Sequence, residues 1–199
     1  MSIMLQQNLD YISATNGLGQ IACYTAKDET DIIKFSETNK EDIYRELLKT
    51  GGFILRGFSI RAVSEFNKVA NILSPNLLNY VNRSTPRTNI GGKIYTATEY
   101  PADKHIPLHN ENSYTLAWPN KILFFSVVVA QSGGETPVAD SRQIFKKINK
   151  EVVDKFKDKQ VLYVRNYTPG IDLSWQDVFQ TTDKQEVERY CNENSINCQ

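Results

Sequence analysis

The order of patterned segments predicts an α+β fold built around an antiparallel sheet. Amphipathic helical stretches come first and short β-prone runs crowd the middle, without the regular alternation that a doubly wound parallel sheet requires. From Asn82 the chain becomes rich in Thr, Pro, Gly and Asn, the punctuation of short strands and turns. Its 199 residues suit one domain with a substantial core, so residues 1–199 are expected to form a single domain.

Taken in order, IACYTA (21–26) carries weak strand character. In the stretch 28–52, Ile43, Leu47 and Leu48 recur at helical spacing, Asn39 is a candidate cap, and Gly51 and Gly52 end the helix. FILRGF (53–58) reads as a short strand closed by Gly57, and Ser59 opens a helix with Val63, Phe66, Val69, Ala70 and Leu73 on one face. KIYTATEY (93–100) is strand-like, and residues 120–141 read as a buried strand, a Gly133-Gly134 turn and a second strand. Ser141 and Arg142 begin a helix running through Ile144, Ile148, Val152 and Phe156. VLYVRNY (161–167) is again a strand, and a last helix follows with Asp183 as cap and Glu186 placed for a capping box.

Composition excludes more than it suggests. Lys plus Arg equals Asp plus Glu at 23 each, so no bulk charge favours nucleic acid or a membrane surface. The longest apolar run, Ile122 to Ala130 broken by Ser126, is too short to span a bilayer. The N-terminus lacks the basic and apolar regions of a secretion signal. Cys23, Cys191 and Cys198 are an odd number at no ligand-like spacing, which speaks against a disulfide scaffold and a structural zinc site. A cytoplasmic protein with reduced thiols is expected.

The stretch IPLHNENSY (106–114) holds His109, one of only two histidines, with Glu111 two residues on. On an extended backbone, positions i and i+2 point to the same side, so the imidazole and the carboxylate can enter one cavity. They are two of the three ligand types of the 2-His-1-carboxylate facial triad of non-haem Fe(II). By itself His-x-Glu is common, and a loop histidine is the default for such a pattern.

The surroundings narrow the choice. The stretch IPLHNENSYTLAWPNKILFFSVVVAQSGGETPVADSR (106–142) closely resembles the centre of the TauD/TfdA-like Fe(II)/2-oxoglutarate-dependent dioxygenases, nearest the SyrP-like branch. RTNIGGKIYTATEYP, VRNY, SWQDVFQT and EVERYC carry the same resemblance, which runs from about Gly51 to the C-terminus. It implies a double-stranded β-helix (jelly-roll) core with flanking helices. It also implies His109 and Glu111 as iron ligands and Thr136 as a contact to a 2-oxoglutarate carboxylate, a role its hydroxyl suits as a donor to an anionic oxygen. The reaction implied is oxidation, most often hydroxylation, of an amino acid (free or carrier-bound) or a related small molecule. Iron halogenases of this kind carry a small residue at the acidic ligand, so Glu111 favours hydroxylation over halogenation.

One part of the pattern is missing. Family members place a distal histidine ligand and then an arginine beyond this point, whereas no histidine follows Glu111 here. Arg142, Arg165 and Arg189 lack a matching context. His105 is a poor substitute: Pro107 opposes a helix between it and His109, and on a strand the two would lie about 13 Å apart. It reads as a loop or substrate-side residue. Arg83, Arg87 and Tyr95 are candidates for a substrate carboxylate or phosphate, with a surface role equally open. Phe124, Phe125, Trp118 and Trp175 read as core.

Three accounts of the gap follow. The chain is the N-terminal part of a longer enzyme truncated before the closing strands, or half of an enzyme completed by a second chain or copy. Otherwise it is a catalytically inactive binding remnant. A zinc hydrolase is the other enzymatic reading and lacks a third ligand equally.

Overall fold

The structure is a computed structural model that describes residues 9–15, 20–80, 87–97, 101, 104–168 and 170–199. Helices and strands are mixed, and contacts divide the chain into two compact units. One comprises Met1–Leu77 with Leu123–Lys159, the other Leu78–Ile122 with Gln160–Gln199.

The first unit is built on a three-stranded sheet of β1 (Leu9–Thr15), β2 (Gln20–Asp31) and β3 (Phe53–Ser59), with β2 central. β1 and β2 pair antiparallel, but β2 and β3 pair parallel, with Tyr24 beside Leu55. The sheet is therefore mixed rather than antiparallel. Its parallel pair follows from α1 (Ile32–Thr50), a crossover long enough to return the chain to the same end.

Asp31 caps α1, its carboxylate accepting from the amides of Ile33 (2.8 Å) and Lys34 (3.3 Å). Asn39, expected to cap the helix, lies inside it as a kink (φ −109°, ψ 15°), its side-chain amide donating to the Phe35 carbonyl at 2.9 Å. A short polar side chain that bonds the preceding turn competes with the helical ladder, which accounts for the bend. Gly51 ends α1 as expected, with φ +79° and its amide on the Leu47 carbonyl. Gly57 falls within β3 instead of closing it.

Ala22 and Tyr24 pack with Phe35, Phe53, Leu55 and Phe58. Ile32 and Ile43 of α1 meet Val69 and Leu73 of α2 (Val63–Leu73). The face expected for α2 is the one buried at Val69, Ala70 and Leu73, and Tyr44 secures its end by donating to the Leu73 carbonyl at 2.6 Å. The helix starts at Val63 rather than Ser59, with the Glu65 carboxylate accepting from the Arg61 and Ala62 amides. The helix expected from Ser141 is two, α3 (Ser141–Lys147) and α4 (Lys150–Lys159). They are separated at Ile148 in extended geometry, and Asn149 accepts the Glu151 amide to restart the second.

The two strands expected within 120–141 are absent from the described residues, and so is the strand at 161–167. Phe124 is 64% exposed and Val128 84% exposed. A β-prone run becomes a strand only where a neighbour completes its ladder, and among the described residues these runs have none. For the same reason the described residues form no closed barrel.

The second unit holds the hairpin β4 (Asn89–Gly91) and β5 (Ile94–Tyr95), then α5 (Trp175–Phe179) and α6 (Lys184–Glu193). Among its described residues Ile94, Val178 and Cys191 are the buried apolar ones, and the Phe179 ring meets Tyr167 and Tyr190 edge-on at 6.0 and 5.6 Å. Asp183 caps α6 by accepting the Gln185 amide, but the expected capping box is rerouted. Thr181 accepts from the Asp183 amide and donates to Glu186 at 2.6 Å. Among the described residues no helix is long and apolar enough to cross a membrane.

Candidate metal-binding site

His109 and Glu111 lie in the second unit, on irregular chain leading into a turn at 111–114 rather than on a strand. Asn112 takes a left-handed conformation (φ +52°), and Thr115 closes the turn through its amide and hydroxyl on the Asn112 carbonyl. The two side chains still converge, with His109 Nε2 3.9 Å from Glu111 Oε2.

Nδ1 of His109 lies 2.8 Å from the Pro107 carbonyl, which can only accept, so a neutral ring carries its proton on Nδ1. Nε2 then presents a lone pair to a carboxylate oxygen. Two electron-pair donors facing one another in this way form a pair that a cation can bridge. A backbone partner on the far nitrogen is also how ligating histidines are commonly oriented.

Glu111 is the anchored member, 21% exposed against 60% for His109. Its Oε1 accepts the Tyr80 hydroxyl at 2.6 Å, and the Arg87 guanidinium lies 3.5 Å from the same oxygen. Arg87 also sits over the Tyr80 ring at 4.5 Å. Tyr80 is itself fixed: Gln180 donates to its carbonyl at 2.7 Å, and its amide donates to the Tyr95 hydroxyl at 3.2 Å. Burial, then the Glu111 contact, hold the Tyr80 phenol far above its usual range, so it stays a protonated donor.

Arg87 and Tyr95, candidates for substrate recognition, thus serve the setting of Glu111, and Arg83 lies outside the described residues. Tyr80 had no signal in the sequence, because its contact spans 31 positions with no motif to mark it. His105 is exposed, and among the described residues no third His, Cys, Asp or Glu joins the pair. Thr136 is exposed in the other compact unit. Trp118 and Phe124 are exposed rather than core, while Phe125 stacks on Phe66 at 5.3 Å. Trp175 is half-buried at the start of α5.

Neutral imidazole nitrogen and carboxylate oxygen are donor types that non-haem Fe(II) takes, and here they lie 3.9 Å apart. The donor types, the ring tautomer and the spacing are compatible with two coordination positions of Fe(II), and among the described residues no third donor joins them.

Residues 15–194 match the family described as taurine catabolism dioxygenase TauD, TfdA family. The chain belongs to this family, whose members generally use Fe(II) and 2-oxoglutarate. It is 44% identical over 153 residues to the dapdiamide synthesis protein DdaC of Enterobacter agglomerans, covering 77% of this chain and 46% of that protein. It is 30% identical over 162 residues to a clavaminate synthase-like protein of Arabidopsis thaliana, covering 77% of this chain and 49% of the relative. The chain thus spans about half the length of the curated relatives it matches.

Proposed function

We propose that this chain carries the metal-binding half of an Fe(II)/2-oxoglutarate-dependent oxygenase that hydroxylates an amino acid, free or carrier-bound, or a related small molecule. The convergence of His109 and Glu111 within a chain of this family carries the reading. The names of the two relatives, one for dapdiamide synthesis and one for likeness to clavaminate synthase, support a small-molecule substrate.

In this reading Nε2 of His109 and Oε2 of Glu111 hold the ion, and the Nδ1 contact to Pro107 keeps the ring aimed at it. The Thr136 hydroxyl donates to a carboxylate of 2-oxoglutarate. Bound iron with 2-oxoglutarate supplies oxidation of a C–H bond by dioxygen, coupled to decarboxylation of the co-substrate. The distal histidine and arginine are supplied by polypeptide outside these 199 residues, either further chain of the same enzyme or a separate one, which pairs with the exposed runs 122–129 and 161–164 and completes a jelly roll. Free thiols at Cys23, Cys191 and Cys198 suit the cytoplasm.

A second reading, a binding remnant without catalysis, is favoured by one observation: no third ligand joins the pair among the described residues. Anaerobic titration of the purified chain with Fe(II) and 2-oxoglutarate separates the two. A visible charge-transfer band that vanishes in His109→Ala supports the oxygenase site. No band, even in the presence of the polypeptide that completes the enzyme, leaves the remnant.

A further inference from the structure

We propose that Tyr80 is a positioning residue for Glu111: its hydroxyl occupies Oε1 and so presents Oε2 alone toward His109. The inference rests on the reading of His109 and Glu111 as metal ligands and assigns the carboxylate a one-oxygen mode of binding.

The geometry gives each carboxylate oxygen a separate task. Oε1 faces inward, taking the Tyr80 hydroxyl at 2.6 Å with Arg87 at 3.5 Å, while Oε2 lies 3.9 Å from the imidazole. A carboxylate oxygen that already takes a short hydrogen bond and faces a guanidinium is the poorer donor to an ion, and turning it toward one strains both contacts. Tyr80 is well placed to impose this, since both its amide and its carbonyl are engaged, by Tyr95 and Gln180. Its ring is held between Tyr95, 5.9 Å away, and Arg87. Three residues elsewhere in the chain, Arg87, Tyr95 and Gln180, thus converge to fix one phenol. An exposed, adaptable carboxylate would need none of them, whereas a ligand that must leave positions free for a co-substrate gains from being held to one oxygen.

The test uses Co(II), whose visible spectrum reports coordination number, added to the full chain as wild type, His109→Ala, Tyr80→Phe, Glu111→Asp and the Tyr80→Phe/Glu111→Asp double variant. Tyr80→Phe removes only the hydroxyl and keeps the ring against Arg87 and Tyr95. Wild type is expected to take up Co(II) and His109→Ala to lose it. Tyr80→Phe is expected to bind about 10- to 100-fold more weakly, with lower band intensity as the carboxylate turns to two-oxygen binding and an unchanged melting midpoint. In the Glu111→Asp background, where the shortened side chain no longer reaches the phenol, the Tyr80 change should have little further effect. Equal affinity and spectrum in wild type and Tyr80→Phe overturn the positioning role and leave the ligands standing. An undiminished loss in the Glu111→Asp background also overturns it, since Tyr80 would then act through the fold. Failure of wild type to take up Co(II) more tightly than His109→Ala overturns the ligand reading and this inference with it.

Discussion

Arg142 reaches 93 positions back along the chain to donate to the Lys49 carbonyl at 3.3 Å, closing the end of α1. Its other terminal nitrogen donates to the Leu48 carbonyl at 3.3 Å, and Asp140 holds the guanidinium through contacts of 2.8–3.1 Å. The last carbonyls of a helix carry partial negative charge and lack partners within the helix, so a forked cation there both satisfies and stabilises them.

Replacing Arg142 should therefore loosen α1 and α3 together. Arg142→Ala is expected to lower the thermal midpoint, and Arg142→Lys to recover little, because a point charge cannot serve two carbonyls and a carboxylate at once. The Asp140 carboxyl is held below its usual 3.8, first by the Arg142 side chain. Its folded form thus binds a proton less readily than its unfolded form. The stability it gives is present above about pH 4 and is lost as pH falls through the lower folded value. Asp140→Asn should flatten that acid limb, which urea midpoints measured at stepped pH will read.

Gly51 supplies a sharper test of the same junction. Its φ of +79° disfavours any side chain, and a Cβ there would lie 3.3 Å from Arg142 Nη2. Gly51→Ala should cost about 1 kcal/mol or somewhat more, combining backbone strain with a displaced guanidinium. The check is a lower urea midpoint at unchanged m-value.

Local signals were legible and nonlocal ones were not. Gly51 and Asp183 mark helix ends because the groups they satisfy lie within a turn of them. Asn39 misled because the same side chain that caps one helix can kink another, and only the stronger Asp31 cap decides between them. The runs through Val127–Val129 and Val161–Val164 have strand composition, but a strand also needs a neighbour, which composition cannot supply. The approach of His109 to Glu111 was foreseeable because only one residue separates them, although irregular chain and not a strand brings it about. Tyr80 and Gln180 join them only through folding.

Val178 is wholly buried in the second unit and precedes Phe179, whose ring meets Tyr167 and Tyr190. Val178→Ala is expected to cost about 2 kcal/mol, a large share for so small a core. Unfolding followed by near-ultraviolet circular dichroism, which senses those tyrosines, should show the loss.

The cysteines should differ sharply toward thiol reagents. Cys198 is exposed, whereas Cys191 is buried, and its thiol is pushed up to about 11 by burial and then by Cys198. The thiolate is the reacting form, so at pH 8 one thiol of this pair should label fast and the other only as fast as the second unit opens. Cysteine-specific labelling read by peptide mass will assign the two rates. Equal rates would mean that α6 frays in solution.

The same burial predicts an alkaline limit to stability. Cys191 is raised from 9.0, and Tyr167 and Tyr190 are raised from 10.0, each first by burial. All three are neutral when protonated, so the folded state keeps protons that the unfolded state has already released. Their contribution is complete below pH 9 and shrinks as pH climbs from 9 to 11, first through the thiol and then through the phenols. Cys191→Ala should flatten the onset of that fall, and Tyr190→Phe its later part, in thermal midpoints measured from pH 8 to 11. A fall of the same slope in both variants would mean that neither Cys191 nor Tyr190 sets the alkaline limit.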